Sequence, residues 1–168
     1  QFGARYFELK PPASPADATI TFSGATSVKI ADAESRGGRF AWYSNRADNS
    51  GMTLTRAFDF SAVKSATLLA WIWYDIERDY DYAFVEVSTD GGQTFDILKG
   101  PGTTDTNPNG NNFGHGYTGR SGNGAAPRWI EERFDLSAYA GKQILLRFEY
   151  LTDDAYNAPG LLLDDIRI

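Results

Sequence analysis

From residue 19 onward, apolar side chains recur at every second position in short runs broken by Gly, Asn, Asp and Ser. That is the periodicity of pleated strands and not of helices. The pattern predicts strands over 19–22, 28–30, 40–43, 53–58, 67–74, 82–88, 95–98, 128–134, 143–151 and 161–168. Only 61–64 and 137–140 read as single helical turns, and no segment reads as a helix of three turns. The chain is predicted to be all-β.

The strands differ in how their faces are loaded. Run 67–74 is apolar on both parities, with Leu69, Trp71 and Trp73 against Leu68, Ala70 and Ile72, so it is expected to be covered on both sides. Run 143–151 alternates instead: Ile144, Leu146, Phe148 and Tyr150 lie on one face, Arg147 and Glu149 on the other. Such strands fit a two-sheet antiparallel β-sandwich of jelly-roll type. Short turns at 77–81 and 153–160 predict that 67–74 pairs with 82–88 and that 143–151 pairs with 161–168.

At 168 residues the chain is expected to hold one domain, over 19–168. Residues 1–18, with Pro11, Pro12 and Pro15, read as a lead-in or linker, and the opening at Gln1 reads as an excised or processed form. The stretch 99–127 breaks the rhythm. It is rich in Gly and carries Asn107, Asn109, Asn111, Asn112 and Asn123, and it exceeds the roughly 12–15 residues usual for a structureless loop. It is either functional or a mobile insertion.

Composition narrows the partners. Sixteen basic against 22 acidic residues give a net charge of −6, which argues against nucleic acid or an anionic membrane surface. No apolar run is long enough to insert in a bilayer and none reads as a signal peptide. The absence of cysteine removes thiolate metal sites, catalytic thiols and disulfides.

Carboxylates at Asp75, Glu77, Asp79 and Asp81 crowd the link after run 67–74, where like charges repel unless a cation or hydrogen bonds hold them. Asp75 and Glu86 stand at the first and twelfth positions of an EF-hand spacing, but the sixth is Tyr80 where that loop needs Gly, so an EF-hand is rejected. A calcium site of another build is expected at the sandwich rim, with Asp48, Glu77, Asp81, Asp153 and Asp164 as oxygen ligands. Asp164 shares parity with Leu162, Ile166 and Ile168 and is therefore expected to face the core, where a lone carboxylate is costly. The alternative is that Arg side chains or backbone amides satisfy these groups.

Other motifs carry less. Ser88-Thr89-Asp90-Gly91-Gly92-Gln93-Thr94-Phe95 matches an Asp box, a hairpin device that repeats in propellers and occurs once here. Gly114-His115-Gly116-Tyr117-Thr118-Gly119 has the spacing of a dinucleotide loop but no βαβ surroundings. His115 is the single histidine, without a nucleophile elbow, so no triad can be specified. Tyr80, Tyr117 and Tyr156 are candidates for stacking on a sugar; Trp129 reads better as core or rim.

Several separated blocks resemble one family. They are Trp42-Tyr43-Ser44-Asn45 with Asp48-Asn49, Leu54-Thr55-Arg56-Ala57-Phe58-Asp59, Tyr74-Asp75-Ile76-Glu77 with Asp81-Tyr82, and Val85-Glu86-Val87-Ser88-Thr89-Asp90-Gly91-Gly92. They continue through Phe134-Asp135-Leu136-Ser137-Ala138-Tyr139-Ala140-Gly141-Lys142, Leu146-Arg147-Phe148, Thr152-Asp153 and the closing Asp164-Asp165-Ile166-Arg167-Ile168. Together they resemble the non-catalytic β-sandwich region of secreted bacterial metallopeptidases of the immune inhibitor A type, and the ending is similar to MAM-type jelly rolls. The resemblance runs from about residue 40, and Phe95 stands where that family has Trp. The peptidase chemistry does not carry over, because a zinc peptidase of that class needs His-Glu-x-x-His and this chain has one His.

The resemblance implies a non-enzymatic accessory module of a secreted or cell-surface bacterial protein, a metallopeptidase, supporting the catalytic domain or binding its protein or glycan substrate. Its partners would be the neighbouring domains of the parent chain. The alternative is a carbohydrate- or surface-binding adhesive module.

Overall fold

The computed structural model describes residues 6–8, 10 and 19–168; most of the expected lead-in at 1–18 lies outside them. The strands are β1 (Trp42–Tyr43), β2 (Gly51–Asp59), β3 (Thr67–Asp75), β4 (Tyr82–Ser88), β5 (Asp96–Ile97), β6 (Ile130–Asp135), β7 (Gln143–Leu151) and β8 (Gly160–Arg167). One 3₁₀ turn, Ser137–Tyr139, precedes β7. Two four-stranded sheets result, ordered β1-β8-β3-β6 and β2-β7-β4-β5, with every pairing antiparallel. The chain is an all-β sandwich, as its alternation predicted.

The core lies between the sheets. Leu68, Ala70, Ile72 and Tyr74 of β3 meet Ala83, Val85 and Val87 of β4 and Ile144, Leu146, Phe148 and Tyr150 of β7. The opposite face of β3 is covered as well: Trp73 packs with Leu162 and Ala31, and the Arg36 guanidinium lies 4.2 Å from the Trp71 ring centre. Segment 31–41 is therefore the cover that the two-faced pattern of β3 required. Trp129 joins that smaller cluster and donates its indole N–H to Glu34 O at 3.0 Å.

Both expected hairpins are overturned. β3 and β4 belong to different sheets, as do β7 and β8. Period-two alternation says which side chains share a face, but a hairpin and an arch between sheets satisfy it equally well. The arch is chosen because the apolar faces of β3 and β4 then meet across one core, with Ile76 and Asp81 of the link itself buried. The expected strands at 19–22 and 28–30 are not strands either. Alternation alone makes no ladder, and among the described residues no partner strand lies beside them. Residues 61–64 form a turn and not a helix.

The long stretch 99–127 is packed down. Thr104 bridges Gly116, Ala83 bridges Tyr117 and Asp75 bridges Arg120. Asn112, 7% exposed, donates to Thr104 O and Thr106 O, both at 3.0 Å, and Asn111 donates to Tyr80 O at 3.0 Å. The Asn residues bind backbone groups that a sheet would otherwise satisfy.

Candidate metal centre at the sandwich rim

Three of the links that cross between the sheets carry the acidic residues: 44–50 from β1 to β2, 76–81 from β3 to β4, and 152–159 from β7 to β8. The antiparallel order places all three at the same end. Each brings acidic residues, so that Glu77, Asp81 and Asp153 present carboxylate oxygens within 4.8 Å of one another. Backbone bonds tie the first link to the third, Asn49 N–H to Asp153 O at 2.6 Å and Thr152 N–H to Ser50 O at 3.0 Å, and the second closes on itself, Asp81 N–H to Glu77 O at 3.2 Å. Asn49 at φ 49° and Asp79 at φ 67° take the left-handed turns that bend the first two links.

Asp81 is the fixed member, 1% exposed. Its Oδ2 accepts the Tyr150 hydroxyl at 3.1 Å and its Oδ1 accepts the Asp153 N–H at 3.0 Å. Burial, outweighing these bonds, pushes its pKa up, and the charges of Asp153 and Asp48 add to that. The Tyr150 hydroxyl is raised in turn by burial and by the Asp81 charge. Glu77 is raised by desolvation first, then by Asp153, Asp81 and Asp48. Its Oε2 is buried without any hydrogen-bond partner, the one such side-chain atom among the described residues.

An orphaned carboxylate oxygen beside two further carboxylates, with no nitrogen or sulfur donor, fits a hard divalent cation. Calcium tolerates such an irregular all-oxygen shell and completes it with backbone carbonyls and water. Glu77, Asp81 and Asp153 are the residues that would hold it.

Two expected ligands stand apart from this trio. Asp48 lies near enough to raise Glu77 and Asp81, but its Oδ1 is bound by the Asn157 amide at 2.6 Å. Asp164 does not face the core. A bulge between Leu69 and Trp71 shifts the β3–β8 register, and Asp165, at φ 48°, breaks the parity that linked Asp164 to Ile166. Asp164 shares the outer face with Leu162, and its carboxylate accepts the N–H of Gly37 at 2.9 Å. Its other oxygen accepts the Asp165 N–H at 2.7 Å, so backbone amides meet both.

The aromatic candidates divide likewise. Tyr117 is 1% exposed, its hydroxyl donating to Glu132 Oε2 at 2.9 Å, so its ring has no free face for a sugar. Sequence reasoning took it as a loop residue and missed that it continues the sheet beside Ala83. Tyr80 and Tyr156 are exposed, 44% and 73%. The Asp box is a hairpin device, as expected: Asp90 accepts the backbone N–H groups of Gln93 and Thr94 and the Thr94 hydroxyl at 2.6 Å. These bonds, Thr94 foremost, hold its pKa well below the usual range.

Comparison with known proteins places this geometry. The profile of the "Immune inhibitor A-like, MAM domain" family matches residues 20–168. "Pre-pro-metalloprotease PrtV" of Vibrio cholerae serotype O1 is 36% identical over 131 residues, covering 78% of this chain and 13% of that protein. "Immune inhibitor A" of Bacillus thuringiensis subsp. alesti is 33% identical over 131 residues, 76% of this chain and 17% of the relative. "Bacillopeptidase F" of Bacillus subtilis is 26% identical over 96 residues, 56% of this chain and 5% of the relative. The chain thus spans under a fifth of the relatives it matches. The family match begins at residue 20, earlier than the sequence blocks indicated.

Proposed function

This chain belongs to the immune inhibitor A-like MAM domain family, and we propose that it serves as an accessory module of a secreted bacterial metallopeptidase, stiffened by a calcium ion at Glu77, Asp81 and Asp153. It is a MAM-like domain and not the catalytic part of such proteins, since the relatives match it over a small share of their length. Its task in this reading is mechanical. It docks beside the catalytic domain of its parent chain and keeps that domain folded outside the cell. The carrying observation is the two-peptidase match over three quarters of the chain. The buried, unpartnered Glu77 Oε2 supports the ion. In a cysteine-free chain, a cation tying two sheet-crossing links supplies the cross-link that disulfides supply elsewhere.

The test is made in the parent peptidase, by deleting the segment equivalent to residues 20–168. Loss of accumulated, protease-resistant enzyme with unchanged kcat in the surviving fraction is the expected result. An undiminished yield of stable enzyme would refute the supporting role. The adhesive alternative rests on Tyr80 and Tyr156, whose exposed rings flank the acidic rim. Glycan binding by this chain that is lost in Tyr156→Ala would favour it.

A further inference from the structure

Among the described residues, nothing pairs with one lateral side of the sandwich. β2 bonds β7 along its whole length, Gly51–Asp59, and no described strand bonds its other edge. Beside that edge runs a cleft of about 1070 Å³ lined by Leu54, Phe58, Phe148 and Ile166, with Phe40 and Trp42, 79% and 62% exposed, along its border. A nine-residue free edge over an apolar groove is a surface that folded proteins cover.

The chain carries a matching cover. Residues 20–30 fall inside the family match and so belong to the domain. Yet Ile20, Phe22, Val28 and Ile30 are 75%, 91%, 80% and 62% exposed. All four stand at even positions, and Thr19, Thr21, Ser23 and Ser27 at odd ones. β2 shows the same alternation: Met52, Leu54 and Phe58 pack toward the core, and Thr53 and Thr55 are exposed.

We propose that residues 19–22, unpaired in this structure, add as a strand to the free edge of β2 and seat Ile20 and Phe22 in the cleft, with residues 23–30 as the tether. New ladder bonds cap the edge, and the two side chains close the apolar groove. The tether permits it. Ala31 is anchored against Trp73 and Leu162 on the outer face of the other sheet, and the eight residues 23–30, extended, reach roughly 26 Å, against about 20 Å for two layer spacings of about 10 Å. The same chain is the favoured donor, because a short tether holds the segment at an effective concentration of about millimolar.

Amide hydrogen exchange on the 168-residue chain tests this, comparing wild type with Ile20→Asp/Phe22→Asp at two protein concentrations. The β2 amides that β7 does not bond are expected to exchange at least about tenfold slower in wild type, at both concentrations, while Phe148 in the core exchanges alike in both proteins. Equal β2 exchange overturns the proposal. Protection that grows with concentration assigns the groove to a second copy and overturns it too. Should the double variant not fold, the cysteine-free chain offers a second readout. Thr21→Cys is combined in turn with Thr53→Cys, Thr55→Cys and Ala57→Cys. A disulfide at monomer mass in one combination is expected; none, or dimers only, refutes the docking.

Discussion

Asp81 shows how much a single side chain carries here. Its two oxygens join the end of β7, through Tyr150, to the link after it, through the Asp153 N–H. Glu77 beside it contributes a buried oxygen without a donor, so removing its charge removes a repulsion. In a chelator-containing buffer Glu77→Gln should melt no lower than wild type, while its gain from added calcium is lost; calorimetric melts in both buffers check this. Elsewhere the interior is conventional. Trp73→Ala should cost about 3–5 kcal/mol in urea unfolding, because it empties the small core between β3 and segment 31–41. Tyr117→Phe leaves Glu132 Oε2 with the Gly102 N–H at 3.1 Å as its remaining donor and should cost about 1–3 kcal/mol by the same measurement. At this scale the sequence was readable where a residue's neighbours in the chain decide its role. Asp90 is such a case. Asp164 was misread because a one-residue bulge resets parity, and no local signal announces a bulge at Asp165.

At the scale of elements, the strands themselves were legible. β4 and β7 fall where alternation placed them, and the two-sided covering of β3 followed from its apolar residues on both parities. Pairing was not legible. The 76–81 and 152–159 links are arches, and a strand's alternation is blind to whether its successor lies beside it or across the core. That same error hides the site. Only when the 76–81 and 152–159 links cross at one end does Asp153, distant in sequence, join Glu77 and Asp81. The Asp box makes an element-scale prediction. The Asp90 carboxylate is held low by bonds present only in the fold, so its contribution is full above the unfolded carboxylate pKa and is lost as pH falls through the folded value. Asp90→Ala should speed hydrogen exchange in β5 and at Gly92 through Thr94 at neutral pH, with β3 and β8 unaffected.

For the whole molecule, the rim couples stability to pH and to cation. Glu77 and Asp81 have pKa values raised in the fold, so without cation the native state binds more protons than the unfolded chain. Its stability then falls as pH rises from the ordinary carboxylate value, about 4, through the raised ones. A bound cation needs the ionised forms, so the stabilisation it gives is present at neutral pH and fades as pH drops through the same window. The two buffers should therefore give melting curves that diverge with rising pH and converge near pH 4. The decisive measurement is the melting temperature at pH 7 in excess calcium and in excess chelator. At a concentration about a hundred times Kd, binding to the folded state contributes about 2.7 kcal/mol, a rise of roughly 5–10 °C for a chain of this size, and Asp81→Asn should abolish it. Identical melting temperatures in the two buffers, with no calcium retained by the purified protein, would contradict the rim as a cation site.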